Sequence, residues 1–179
     1  LKVGSKPLLE TTLEAFLQQD FRSFYISVNY LAAKVKDHFG DGRRWGCEIR
    51  YLEEEEQLGT AGALQLLPER TTEPLIVMNG DVMTKVNFGH VLDFHRERGA
   101  AGTMCVRQYD LQVPYGVVRL NSTRIVGVVE KPVHSFFVNA GIYALDPKLL
   151  DLIPKDRKPF HMTDLFESAI AQGAETAAF

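Results

Sequence analysis

The apolar positions of LLETTLEAFLQQ, residues 8–19, fall at Leu8, Leu9, Leu13, Phe16 and Leu17, which is the spacing of one helix face. Pro7 suits the first turn of that helix, where a missing N–H costs nothing. FYISVNY, 24–30, is short, aromatic and β-branched and predicts a buried strand. AAKVKDHFG, 32–40, predicts a second helix, stopped by Gly40 and Gly42. In CEIRYLEE, 47–54, Cys47, Ile49 and Tyr51 alternate onto one face, so a strand is expected there. Residues 61–67 read as helical up to Pro68. PLIVMNGD, 74–81, is a continuous apolar run ending in Asn-Gly-Asp, the pattern of a central parallel strand buried on both faces. FGHVLDFHRERG, 88–99, is the next helix.

Over its first hundred residues the chain thus alternates helix and strand. That predicts βαβ units and an α/β fold of Rossmann-like, doubly wound type, with a mostly parallel mixed sheet and helices on both faces. Strands then dominate: AGTMCVRQ, YGVVRL, RIVGVVEKP and FVNAGIYAL, with a turn at Asn121-Ser122. The tail predicts a helix over 147–153, capped by Asp146 and started by Pro147, and another over about 163–172, capped by Thr163. No element is expected in the closing GAETAAF, and both ends look abrupt. Residues 1–179 are read as one core domain.

Composition narrows the function classes. With 179 residues and 45% hydrophobic content the chain can bury a core of its own. A net charge of -3, with no basic block longer than Arg43-Arg44, argues against a nucleic-acid or membrane surface. No apolar run approaches the roughly 20 residues of a membrane span. Cys47 and Cys105 have no metal-site spacing and read as reduced core thiols, which fits a cytoplasmic setting. The five histidines show no metal spacing either.

Four places could carry chemistry. Asp81 follows Asn79-Gly80 at a strand's carboxyl end, where ligands of open α/β sheets bind; it is either a turn cap or an exposed cation ligand. Gly59-Thr60-Ala61-Gly62 follows a strand and opens a helix, so its amides could receive an anion or a base edge. It is neither a dinucleotide fingerprint nor a P-loop. Glu130-Lys131-Pro132 closes a strand with paired charges, a surface ion pair at the least. Asn139 stands in the apolar run FVNAGIYAL, where it is a satisfied core amide or a sugar-hydroxyl ligand.

The order of these pieces is more specific than any of them. G-x-K-P-L-L-E from Gly4, then E-x-x-Q-L-G-T-A-G-A-L, N-G-D, Y-G-V-V, E-K-P and V-N-A-G-I-Y, with FHMTDLFESAI behind them, resemble the sugar-1-phosphate nucleotidyltransferase (nucleotide-sugar pyrophosphorylase) family. The resemblance is closest to the mannose-1-phosphate guanylyltransferase-like branch, which includes members with CBS regulatory domains. It implies transfer from a nucleoside triphosphate to a sugar 1-phosphate with release of pyrophosphate. By position it implies that Gly59, Thr60 and Gly80 meet the nucleotide and that Asp81 holds a catalytic Mg²⁺. It also implies that Gly116, Glu130, Lys131 and Asn139 surround the sugar 1-phosphate, with Lys131 offering charge to its phosphate. Relatives commonly assemble, so a homo-oligomer is a further expectation.

Two departures and one substitution follow from the same resemblance. The G-x-G-T-R loop with its lysine would precede Leu1, and a W-x-D-x-G acidic residue would follow Phe179. These 179 residues alone are therefore expected to be inactive; the alternative reading is a catalytically dead homologue that senses nucleotide-sugars. Where uridine- and thymidine-using members place a Gln five residues before the glycine, this chain has Glu54. Guanine presents N1–H and N2–H₂ side by side, and one carboxylate accepts both, whereas uracil and thymine flank a single donor with acceptors. Glu54 thus favours GTP, while Glu53, Glu55 and Glu56 read as surface charge.

Overall fold

The computed structural model describes residues 2–3, 5–68 and 71–179, so Gly4, where the G-x-K-P resemblance begins, lies outside the described residues. In chain order the strands and α-helices are β1 (Lys2–Val3), β2 (Lys6–Pro7), α1 (Leu8–Leu17), β3 (Ser23–Val28), α2 (Ala32–Phe39), β4 (Glu48–Glu53), α3 (Gly59–Gly62), β5 (Leu75–Met78), α4 (Phe88–Arg98), β6 (Gly102–Gln112), β7 (Val117–Asn121), β8 (Arg124–Val129), β9 (Val133–Leu145), α5 (Met162–Ala171) and β10 (Thr176–Ala178). Short 3₁₀ segments cover Arg43–Trp45, Ala63–Leu66 and Pro147–Leu152. The chain divides into two compact units: residues up to Cys105 with Gly141–Phe179, and Val106–Ala140.

In the first unit β3 and β4 pair in parallel, Ser23 opposite Glu48 through Val28 opposite Glu53. Helix α2 makes the crossover, which is the predicted βαβ unit. Its core is Leu13, Phe39 and Ile49, with Phe24, Cys47 and Tyr51 half-buried around them. The Phe16 ring of α1 stacks on Phe88 of α4, with centroids 3.8 Å apart, and meets Phe24 edge-on. Strand β3 is less buried than its composition suggests. Within it only Val28 is enclosed; beyond its end Tyr30 is 85% exposed and Leu31 takes a left-handed conformation at the start of α2.

The second sheet is mixed, in the order β10-β6-β9-β5. Strand β5 differs from expectation: it is the sheet's edge strand and pairs antiparallel with β9, Met78 opposite Ile142. All four of its residues are half-buried. A run of apolar residues records two apolar faces but not how many strands flank it. Strand β10, where no element was expected, pairs parallel to β6, Thr176 opposite Gly102. Against this sheet pack Leu149, Ile153, Met162, Leu165 and Phe166, around Tyr143 and Leu145 of β9. Asp146 caps the Pro147 segment as expected, accepting from Lys148 N–H at 2.9 Å. Helix α5 begins earlier than predicted. Its cap position is His161, whose N–H donates to Asp164 at 2.8 Å, so Thr163 is not the cap.

In the second unit β7 and β8 form an antiparallel hairpin whose turn holds Ser122 in a left-handed conformation. Cys47 is half-buried and Cys105 buried; both are free thiols, and burial pushes Cys105 up to about 11. Among the described residues no helix is long and apolar enough to cross a membrane. The fold is α/β, built from parallel and mixed sheets with helices between them.

One buried polar pair makes this fold acid-sensitive. His95 of α4 lies 2.9 Å through Nδ1 from the Thr103 hydroxyl of β6, and both residues are enclosed. Burial pushes the His95 pKa below the usual histidine value; Asp146 opposes the shift and Arg96 adds to it. The unfolded chain therefore takes up this proton at a higher pH than the folded one. The stabilising contribution is complete above the unfolded value of about 6.5 and is lost as pH falls below it. Urea unfolding followed from about pH 8 to pH 5 should show a steeper loss of stability than in His95→Gln. Equal slopes would contradict this role.

Candidate functional site

The chain turns at the end of β4 through Glu54–Leu58 and enters the single turn of α3. Glu54 is fixed at three points. Its N–H donates to Val28 O at 2.9 Å, and its carbonyl accepts from Asn29 Nδ2 at 2.7 Å. Its carboxylate accepts from the Ser27 hydroxyl through Oε1 and from Leu58 N–H through Oε2 at 2.8 Å. Each carboxylate oxygen has about two lone-pair sites, so one on each remains for a ligand. Glu53 pairs with Lys36 at 2.6 Å and Glu55 lies 3.9 Å from Arg157; with Glu56 they are exposed, as expected of surface charge.

The Gly59–Gly62 turn is less open than its sequence suggests. The main chain of Phe160 lies along it. Phe160 N–H donates to Leu58 O at 2.8 Å, and Phe160 O accepts from both Ala61 N–H and Gly62 N–H at 3.0 Å. Two of the amides expected to be free for a ligand are therefore spent. Gly59 has φ +79°, and a Cβ there would stand 2.7 Å from Phe160 O, so only glycine fits. The Thr60 hydroxyl accepts from Met162 N–H at 2.9 Å. Sequence reasoning missed Ser27, Phe160 and Met162. No local pattern marks them, since Thr60 and Met162 are 102 residues apart.

Gly80 and Asp81 form an exposed turn after β5. Asn79 N–H donates to Gly141 O at 2.9 Å, continuing the β5–β9 ladder, and Val82 N–H reaches Asn79 O at 3.3 Å. The Asp81 carboxylate makes no hydrogen bond or ion pair among the described residues, and those residues contain no group of three or more metal-ligating side chains.

In the second unit the structure groups three of the predicted residues. Lys131 N–H donates to Tyr115 O at 3.3 Å, and Val113 N–H to Pro132 O at 3.0 Å, closing the base of the β7–β8 hairpin. A Cβ on Gly116 would lie 3.0 Å from Glu130 Oε2. The Glu130–Lys131 ion pair is long, 4.0 Å, and exposed, so it contributes little to stability. Lys131 has φ 45°, a left-handed conformation that a lysine ahead of a proline avoids unless its surroundings impose it. Asn139 stands on β9 and is exposed, not a core amide.

Comparison with solved structures identifies the fold first. A protein from Bacillus anthracis described as a glucose-1-phosphate thymidylyltransferase, in complex with sucrose, superposes with TM-score 0.75 at 20% identity, over 100% of this chain and 76% of its own. The two share the fold. The family model described as Nucleotidyl transferase matches residues 1–179, and the chain belongs to that family. Its relatives include a mannose-1-phosphate guanyltransferase of Candida albicans, 33% identical over 86% of this chain, and a UTP–glucose-1-phosphate uridylyltransferase of Synechocystis, 29% identical over 97%. The chain spans 45% and 50% of these two relatives' lengths.

Met162 is buried, and the Thr60 hydroxyl is the acceptor its N–H meets. Thr60→Val should cost ~1–3 kcal/mol in urea unfolding without ligand, while Thr60→Ser, which keeps the acceptor, should cost less than half as much. Equal losses in the two variants would show that the hydrogen bond does not matter.

Proposed function

We propose that the whole protein transfers a nucleoside monophosphate from GTP to a sugar 1-phosphate. The family match over residues 1–179 carries the reaction class. The choice of GTP rests on the Glu54 carboxylate, and the guanylyl-transferring relative supports it while the uridylyl-transferring one competes. In this reading the chain supplies contacts to the nucleotide through Glu54, Gly59, Thr60 and Gly80, the first three at its base. It supplies a metal ligand in Asp81, and sugar-phosphate contacts through Gly116, Glu130, Lys131 and Asn139.

An oxygen of the sugar 1-phosphate forms a bond to the α-phosphorus while the bond from that phosphorus to the α,β-bridging oxygen breaks. Pyrophosphate leaves with that electron pair. No side chain need become covalently attached, so the protein's work is positioning and charge neutralisation. Bound Mg²⁺, held by Asp81 and phosphate oxygens, would supply part of that neutralisation. Lys131 offers its ammonium to the sugar phosphate, and Glu130 and Asn139 hold hydroxyls.

Glu54→Gln separates base reading from the structural bonds. A glutamine oxygen can still accept from Leu58 N–H, and its NH₂ can still meet the Ser27 hydroxyl. In the full-length protein, assayed by pyrophosphate release, Glu54→Gln should lower the GTP-to-UTP ratio of kcat/KM by about ten- to a hundredfold. An unchanged ratio rules out Glu54 as the residue that selects guanine. Full-length protein that binds GTP yet releases no pyrophosphate with any hexose 1-phosphate rules out the transferase reading in favour of a nucleotide-sensing homologue.

A further inference from the structure

Gly141 is enclosed and has φ +74°, one residue beyond the last β5–β9 pair. Its missing side chain is filled by other atoms. A Cβ at 141 would stand 2.9 Å from Asn79 Nδ2, 3.2 Å from Asn79 Cγ and 3.1 Å from Val82 Cγ2. Asn79 and Val82 are the two flanks of the turn that carries Asp81. Asn79 is also tied to Gly141 by the 2.9 Å bond from its N–H to Gly141 O. The side chains of both flanks thus pack over one glycine, whereas a Cβ on Gly80 would meet nothing within 4 Å and the turn is closed across it by the 3.3 Å bond from Val82 N–H to Asn79 O.

We propose that Gly141 is a positioning residue for Asp81: the space over its Cα seats Asn79 and Val82, and so fixes where the Asp81 carboxylate stands. The proposal rests on the reading of Asp81 as a metal ligand. A methyl at 141 must displace the side-chain ends of Asn79 and Val82 by a few tenths of an ångström, and through them strain the turn they flank, where a reacting centre held by charge and geometry tolerates little displacement before its rate falls. Gly141 touches no substrate in this account; it acts through the turn.

The test is a double-mutant cycle in the full-length protein with Gly141→Ala and Asn79→Ala. Two quantities are read: kcat, and the affinity for Mn²⁺ measured by electron paramagnetic resonance with a non-hydrolysable GTP analogue present. Gly141→Ala should weaken Mn²⁺ binding about tenfold and lower kcat by about ten- to a hundredfold, with KM for GTP within about twofold. In the Asn79→Ala background the same substitution should cost much less, because its principal obstacle is gone. Equal cost in both backgrounds assigns the effect to backbone strain at φ +74° and overturns the proposal, as does unchanged Mn²⁺ affinity. Should Gly141→Ala not fold, Asn79→Ala and Val82→Ala carry the test. Each should weaken Mn²⁺ binding, and unchanged binding in both overturns the proposal. Asp81→Asn separates the two readings. If it leaves Mn²⁺ affinity and turnover intact, the metal-ligand reading itself fails. If it abolishes them while Gly141→Ala changes neither, only the positioning role falls.

Discussion

The candidate base-binding turn depends on one docking, the main chain of Phe160 laid along Leu58–Gly62. Three backbone hydrogen bonds and the Thr60–Met162 bond join segments about a hundred residues apart in sequence. Each contributes on the order of 1 kcal/mol net, but breaking one strands a polar group against a closed core, which costs more. Ala61, fully enclosed, belongs to the same core as Tyr143, Leu165 and Ala169. The polar and apolar halves of this contact therefore form together. Small residues at 59, 61 and 62 follow from it: at 59 a side chain would meet Phe160 backbone, and at 62 a Cβ would stand 2.9 Å from Leu58 Cβ.

That constraint also explains what the sequence made legible. Elements written in a periodic pattern were readable: α1, α2, α4 and β4 occupy nearly the predicted residues, because side-chain spacing alone defines a helix face or a strand face. Elements defined by a neighbour were not. Thr176–Ala178 has too little apolar signal to announce a strand, and it is one because β6 offers an edge. Strand β5 carries the pattern of a central strand and lies at an edge. The start of α5 is set by Asp164 reaching back to His161 N–H, not by the threonine in between.

The candidate site divides along the same line. Candidates at strand ends could be proposed from residue type and from the resemblance: Glu54, Asp81, Glu130 and Lys131. What holds the Glu54–Gly62 turn could not, because Ser27, Phe160 and Met162 reach it only through the fold. Nor could the exposure of Asn139 be foreseen from an apolar run, since β9 is buried from Gly141 onward and open before it.

Glu54 and Thr60 each have a hydrogen-bond partner before any ligand arrives, and Gly59 lies against the Phe160 main chain. This does not disqualify them as ligands. A carboxylate whose orientation is already fixed by Ser27 and Leu58 spends no side-chain entropy when a base pairs with it, and preorganised groups discriminate better than mobile ones. The sugar-phosphate candidates are built differently. Glu130 and Lys131 are 73% and 58% exposed at their side chains, and only the backbone of Lys131 is held, in a conformation it would not choose alone. In the proposed reading, selectivity among bases is therefore set by rigid geometry, whereas sugar 1-phosphates meet side chains that must be ordered on binding. A single substitution at 54 can then change the nucleotide without disturbing the sugar side, and the reverse change would need more than one residue.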